Sequence, residues 1–310
     1  MAPIADRLLQ VQSSLTDRDH TLLSWLYDHG VLTTDQIAHA LFPSLDFCQR
    51  RLLRLTSLGV VARFRPQKPY GGSFPYHYVI DQLGADIVAA QRGEPPPRRD
   101  HARARRHHLT SRANLPHLLG INQFFTDLVG YARTEPGAVL ERWWPASRLQ
   151  SSAAFYQRGD DAGVMLAGRG VRPDAHGIWV ERSRVAFYLE YDTGTETLGI
   201  LVDKVGSYTR LALETGRPRP VLFWLPTVAR ELHLHQRLAE FPAGVDAPVA
   251  TATRDHAAAV RRSPAEDIWW LHGRTGARCR LAALGSPAQF RPHTRPTYLR
   301  DGAYEPRGDR

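Results

Sequence analysis

Asp174, Glu190 and Asp192 are the residues whose types and spacing could do chemistry in this chain. Val171-Arg172-Pro173-Asp174 leads into a short apolar strand, a charged turn follows at Glu181 to Arg184, and Arg184 to Asp192 reads as a second strand. Side chains alternate faces along a strand, so Tyr188, Glu190 and Asp192 share one face while Phe187, Leu189 and Tyr191 share the other. The turn makes the two strands hairpin neighbours, which brings Asp174 near Glu190. Clustered carboxylates repel one another unless something positive sits among them, and hard oxygen ligands suit Mg²⁺ or Mn²⁺. Two plainer accounts stay open. Acids at strand ends are commonly solvated, with Asp192-Thr193-Gly194 as a turn capping the next helix. Alternatively, the three acids form an ion-pair network with Arg172 and Arg182.

The elements that must position these acids follow from hydrophobic periodicity. Leu115, Leu118, Leu119, Ile121, Phe124, Phe125, Leu128 and Val129 give a helix a broad apolar face, ended near Arg133 by Pro136-Gly137. A strand is expected at Ala138 to Trp144 and a long polar surface loop at Ser151 to Gly170. After the acid-bearing hairpin, a helix from about Thr195 to Leu213 faces inward with Leu198, Leu201, Val202, Val205 and Ala212, and carries Lys204 and Tyr208. Pro220 to Leu225 is a continuous apolar run, as in a strand covered on both faces. A helix at Val228 to Phe241 and a strand at Pro248 to Thr253 follow, and Trp269 and Trp270 read as core or subunit-contact aromatics. From Phe290 onward the Pro-, Arg- and Gly-rich sequence has no apolar period and is expected to be disordered.

Ahead of this region, Thr16 is placed to cap a helix carrying Leu22, Leu23, Leu26 and Tyr27 and stopped by Gly30. Val31-Leu32-Thr33 reads as a connector, and Thr34 is placed to cap a second helix with Ile37, Ala38 and Leu41 inside. A third helix repeats Leu45, Cys48, Leu52, Leu55 and Leu58 and ends at Gly59, leaving Phe47, Gln49, Arg50, Arg51 and Arg54 on its other face. Strands at Val60 to Arg65 and Tyr76 to Ile80 flank a loop with Lys68, Tyr70, Gly71 and Gly72, and a helix from Gln82 to about Gln91 closes the unit. Three helices and a two-stranded ribbon with a glycine tip resemble a winged helix-turn-helix. That arrangement would put the third helix in a major groove, with Gln49, Arg50, Arg51 and Arg54 at the DNA and Arg63, Arg65 and Lys68 of the wing on the backbone beside it. The same helix face also suits a protein-interaction module.

The chain has 310 residues, enough for two domains each with its own core, and a formal net charge of +9 that favours a polyanionic partner. Between the two regions Glu94-Pro95-Pro96-Pro97 breaks any helix, and Arg98, Arg99, Arg103, Arg105, Arg106, His107, His108 and Arg112 follow with only Asp100 opposing them. Left free, such a run stays disordered and lies along phosphates without sequence preference. The expected division is 1–92, a basic linker 93–112, a second domain 113–290 and a tail 291–310. Cys48 and Cys279 have no zinc or disulfide spacing, and no apolar run is long enough to span a bilayer, so the expected location is the cytoplasm, at the nucleoid or a plasmid. No Walker-type phosphate loop is present, and His233 and His235 have no third histidine close by to feed a relaxase tyrosine.

Pro173-Asp174 on the second strand and Glu190-x-Asp192 at the end of the third, in the order αβββαβ, resemble the PD-(D/E)xK nuclease superfamily. With the winged helix in front and Glu190-Tyr191-Asp192-Thr193-Gly194-Thr195-Glu196 followed by Lys204 and Tyr208, the chain resembles the replication-relaxation family of actinobacterial plasmids and mobile elements over roughly residues 15 to 275. The resemblance implies an α/β chain, α+β as a whole, with a winged helix-turn-helix ahead of a restriction-endonuclease-like domain. It implies metal ligation by Asp174 and Glu190, with Asp192 standing where the superfamily lysine belongs and Lys204 on the next helix able to replace it. The implied partners are double-stranded DNA, a relaxase or replication initiator, and a second copy of the chain. The implied role is replication initiation, DNA relaxation or conjugative transfer, by metal-dependent nicking or, alternatively, as a non-catalytic relaxosome accessory or repressor.

Overall fold

The first helix, α1 (Asp17–His29), begins where Thr16 accepts from the Asp19 amide and Asp19 returns the bond to the Thr16 amide. The computed structural model describes residues 10–285 apart from 69, 99, 111–113, 152–153, 162–163, 166, 169 and 241–246. Thr33, one residue before the expected Thr34, and Gln36 cap α2 (Thr34–Leu41) in the same reciprocal way. Ser44 caps α3 (Leu45–Leu58), which ends at Gly59 in the left-handed region. Strands β2 (Val61–Phe64) and β3 (His77–Ile80) pair antiparallel, and α4 (Gln82–Arg92) follows. Residues 31–33, expected as a connector, are instead β1 (Val31–Thr33), paired antiparallel with β3 in a three-stranded sheet of order β1-β3-β2. Val31 and Leu32 are fully buried there, so pairing satisfies their backbone while their side chains fill core.

The basic stretch is not a free linker. Residues 101–110 form α5 (His101–Thr110). Ala102 and Leu109, seven residues apart, lie on one helical face and are buried, and Leu109 joins Val31, Ala62 and Val79 in a small apolar cluster. The charge run hid a two-point apolar face that tertiary packing uses. Arg99 and Arg112 lie outside the described residues.

The second sheet holds β4 (Val139–Pro145), β5 (Ala175–Val180), β6 (Arg184–Tyr191), β7 (Val221–Leu225), β8 (Val249–Thr253) and β9 (Trp270–Leu271), in that spatial order. The hairpin neighbours β4–β5 and β5–β6 are antiparallel, whereas β6–β7 and β7–β8 are parallel. Parallel neighbours need a crossover, supplied by α8 (Leu198–Thr215) and α9 (Val228–Ala239). The short α7 (Ala146–Leu149) follows β4, and α10 (Arg254–Val260) follows β8. On one face of the sheet, α6 (Leu115–Ala132) packs Phe124 and Phe125 against Phe187 and Trp224. On the other, Leu201, Val205 and Leu211 of α8 and Leu234 of α9 meet Tyr188, Val221, Phe223 and Leu225. The chain is thus a mixed α/β protein, and none of the described helices is long and apolar enough to cross a membrane.

The expectation of two separate cores is corrected. Leu22, Leu52 and Ile80 belong to the same apolar cluster as Phe124, Trp143 and Phe187. Trp143 of β4 is sandwiched between His29 of α1 at 3.7 Å and Phe125 of α6 at 4.9 Å. Helix α6 can lie this close to both neighbours because it carries glycine at the contacts: a Cβ on Gly120 would come within 2.1 Å of the Tyr191 ring, and one on Gly130 within 2.0 Å of His39. The expected surface loop is also partly internal, since Phe155 is buried against Tyr188 and tied down by Arg217, which donates to the Phe155 carbonyl at 2.8 Å and pairs with Asp160 at 2.6 Å. Trp269 is fully buried, and Trp270 stacks on His235 at 3.8 Å. The tail from Phe290 lies outside the described residues.

Candidate functional site

Register places the acids. The Asp174 amide donates to the Leu189 carbonyl at 3.1 Å, which puts Asp174 across the hairpin from Glu190. Its Oδ2 accepts the Tyr191 amide at 2.8 Å and faces His117 Nε2 at 3.2 Å. The hydrogen bond to Asp174 outweighs burial and raises the His117 imidazole above its ordinary value, so the charged pair is favoured.

Glu190 is 2% exposed. Its Oε2 accepts from Lys204 Nζ at 3.0 Å and its Oε1 accepts from the Tyr208 hydroxyl, both reaching across from α8. Burial first, and the charge of Asp174 second, push the Glu190 carboxyl up to about 7 against the pull of Lys204 and Tyr208. Burial alone would lower the Lys204 ammonium, but Glu190 and then Glu196, the latter at 3.0 Å, outweigh it and hold the lysine above its usual value. Burial and the nearby Glu190 keep the Tyr208 phenol protonated far above its usual range, as a donor must be.

Asp192 faces another partner. Arg230 of α9 donates to it through Nε and, at 3.1 Å, through Nη2, while the Gly194 amide donates to Oδ1 at 2.9 Å. Arg230 also bonds the Glu196 carbonyl at 2.6 Å, and Arg254 bonds the Asp192 carbonyl at 2.8 Å from a position 4.4 Å from the Tyr191 ring. The anticipated partners Arg172 and Arg182 make no ion pair with the three acids. Glu141 lies apart, bonded through both oxygens to Arg184 at 2.7 Å.

The donor set decides what a cation would meet. Among the described residues no three His, Cys, Asp or Glu side chains converge as metal ligands, so Asp174, Glu190 and Asp192 are not assembled into one three-acid set. Both Asp192 oxygens are taken up by Arg230 and Gly194, and that residue does not fit the role of ligand. Asp174 and Glu190 present facing hard oxygens to a single divalent ion, which would have to share or displace the Lys204 or Tyr208 bond to Glu190. They are opposed across a hairpin, and the charge of Asp174 disfavours the ionised form of the buried Glu190, so added positive charge there is stabilising. Lys204 stands beside Glu190, bonded to it at 3.0 Å. His117 and Arg230 were not foreseen, because their elements precede β4 and follow β7 and nothing local links them to the motif.

On α3, Gln49 and Arg54 are exposed, and Arg50 is exposed while paired with Asp46 at 2.6 Å. Arg51 turns inward instead, its Nε donating at 3.0 Å to the buried Asp19 and its Nη2 to the Ser14 carbonyl at 3.2 Å. Phe47 and Leu53 add apolar surface to the outer face, at 47% and 50% exposure. On the ribbon, Arg63 and Arg65 lie over the Tyr76 ring at 4.1 and 5.0 Å and Lys68 over Phe74 at 5.6 Å. The tip turns through Gly71 and Gly72, both with positive φ.

Fold and site together define a mixed α/β protein with a small helical, ribbon-bearing front half and a carboxylate–lysine site in the sheet behind it. Residues 23–222 match the family model described as replication-relaxation, and the chain belongs to that family. The match runs from α1 to the start of β7, so it includes Asp174, Glu190 and Lys204 and stops short of Arg230. No curated protein and no solved structure matches the chain.

Proposed function

We propose that this protein binds double-stranded DNA of a plasmid or mobile element through α3 and the β2–β3 ribbon, as a winged helix-turn-helix does, and nicks it at Asp174, Glu190 and Lys204. Family membership carries the role in plasmid replication or relaxation. The nicking site rests on one observation: the buried Glu190 faces Asp174 while a lysine from the next helix bonds it at 3.0 Å. Mg²⁺ or Mn²⁺ bound by Asp174 and Glu190 would supply the activation of water and the charge stabilisation that phosphodiester hydrolysis needs. Lys204 orients the Glu190 carboxyl and favours its ionised form against burial, Tyr208 fixes its second oxygen, and His117 fixes Asp174. Asp192 is structural. Gln49, Arg50 and Arg54 meet the groove, and Arg63, Arg65 and Lys68 the phosphates beside it. A relaxase or replication initiator would act at the same site on the DNA, with this protein as a cytoplasmic monomer or homodimer.

A second reading has its own support. Both Glu190 oxygens already carry internal donors, and Asp192 is locked to Arg230, so the acids are satisfied without a metal. That is the pattern of a non-catalytic accessory or repressor built on a nuclease-like fold. Incubating supercoiled plasmid with the protein and Mg²⁺ or Mn²⁺ separates the two: nicking abolished in Asp174→Asn and Glu190→Gln at retained binding supports the first, and binding without nicking supports the second.

A further inference from the structure

Several arginines around the second sheet have a carboxylate: Arg184 has Glu141, Arg217 has Asp160, Arg230 has Asp192, Arg278 has Glu231 and Arg280 has Glu181. Arg142, Arg148 and Arg219 do not. Among the described residues no carboxylate stands within ion-pair distance of Arg142, Arg148 or Arg219. These three are gathered in one place. Arg142 and Arg148 lie over the same indole, Trp144, at 4.2 and 4.5 Å, which holds two guanidiniums side by side. Arg219 donates to His176 Nε2 at 3.0 Å. His176 pairs in register with Trp144 on one side and with Tyr188 on the other.

The cluster is continuous with the carboxylate site. Ring centroids step from Trp144 to His176 at 5.4 Å, to Tyr188 at 5.5 Å and to Tyr208 at 5.2 Å, and the Tyr208 hydroxyl donates to Glu190. The row therefore crosses β4, β5 and β6 on the face of the sheet that Glu190 occupies. We propose that Arg142, Arg148 and Arg219, set by Trp144 and His176, form a binding site for the phosphodiester backbone of a DNA strand leading to Asp174 and Glu190. Glu141, the acid nearest Arg142, is bonded through both oxygens to Arg184, so the three guanidiniums share little opposing charge, and a phosphate chain supplies it in the bidentate geometry that guanidinium favours. Burial, and then the neighbouring Arg184, disfavour the charged form of Arg142 in the free protein, a cost that a bound anion removes. His176, buried and held neutral, keeps Nε2 as the acceptor that orients Arg219, while its Nδ1 has no partner.

This site deepens the DNA-binding reading but is independent of α3, so the probe is one that a groove-reading helix cannot recognise: a fluorescein-labelled oligothymidylate of about twenty nucleotides, long enough to span a strand-binding groove. Anisotropy is measured over a salt series for the wild type, the triple variant Arg142→Gln/Arg148→Gln/Arg219→Gln, its triple-lysine counterpart, and Arg184→Gln. Each phosphate contact to a single strand adds about 0.7 to the slope of log affinity against log salt, so the glutamine triple should lose about 2 from that slope and about tenfold or more in affinity. The lysine triple, which keeps the charge, should recover most of the slope, and Arg184→Gln should bind as wild type. Unchanged slope and affinity in a glutamine triple that melts like wild type would overturn the proposal, as would no strand binding by the wild type. Should the glutamine triple fail to melt like wild type, Trp144→Leu, which removes the platform and no charge, decides: weakened binding supports the proposal and wild-type binding overturns it. A parallel duplex titration with Arg54→Gln keeps the two surfaces apart. Loss there with intact oligothymidylate binding leaves this site standing, and absence of duplex binding sinks the α3 reading alone.

Discussion

Arg230 reaches from α9 onto Asp192 at the end of β6 and engages both carboxylate oxygens, its Nη2 lying 3.1 Å from Oδ1. Asp192 is 4% exposed, so this pair stands nearly out of water. Removing one partner of such a pair leaves a charge uncompensated, whereas removing both does not. Arg230→Ala should lower stability by about 3 kcal/mol or more, and adding Asp192→Asn should restore a substantial part of it. Urea unfolding of the two single variants and the double measures this, and additive losses would mean the pair is not coupled.

Acid should unfold the protein through its buried histidines. His29 is stacked on Trp143 and held by burial at about 3, and His176 is likewise held at about 3. Their folded values lie below the unfolded one, near 6.5, so the unfolded chain binds more protons and stability falls as pH drops below 6.5 toward 3. For a single such histidine the loss between pH 7 and pH 5 is about 2 kcal/mol. His29→Phe keeps a ring on Trp143 and removes the titration, so its stability curve between those pH values should be flatter than the wild type's by about that amount.

Two neighbouring arginines of α3 should behave differently. Arg51 pairs with Asp19, whose side chain has no exposure, and Arg51→Ala should cost about 3 kcal/mol of stability. Burial pushes the Asp19 carboxyl up, and the bonds from Arg51 and Thr16 more than reverse it. Arg54, exposed, should change stability by less than about 0.5 kcal/mol when made Ala, and should weaken duplex DNA binding instead. Thermal melts and a duplex titration on both variants check the division.

The close approach of α6 to its neighbours is testable at two glycines. Gly120→Ala drives a methyl into Tyr191, which Arg254 covers on one side and His117 meets edge-on, and should cost about 2 kcal/mol. Gly130→Ala meets only the His39 side chain, 54% exposed and able to swing away, and should cost less than half as much. Melting temperatures order the two.

The long elements were legible in sequence because each carries its own signal. The period of Cys48, Leu52 and Leu55 and the stop at Gly59 mark α3, although Leu45, read as part of the same inward face, is 47% exposed, and the apolar run at Val221–Leu225 marks a strand buried on both faces. Alternation along β6 was enough to put Glu190 with Tyr188 and opposite Phe187. What escaped depends on distant partners. Ala102 and Leu109 are too sparse a pattern to rescue a charge run from being read as a linker, and it is packing of Leu109 on Val31, Ala62 and Val79 that seats α5. Arg51 sits on a face read as exposed, and Asp19, more than thirty positions earlier by number, draws it inward. Asp192 was grouped with Asp174 and Glu190 by strand alternation, yet α9 supplies the arginine that takes it away.

Whether Asp174 and Glu190 cut DNA separates a nuclease from a binding protein built on the same fold. The direct measurement is nicking of supercoiled plasmid in Mg²⁺ or Mn²⁺ by wild type, Glu190→Gln and Asp192→Asn at matched DNA binding. Nicking by wild type, its loss in Glu190→Gln and its survival in Asp192→Asn is the predicted result. Tight binding with no nicking by wild type, or equal nicking by wild type and Glu190→Gln, would contradict it.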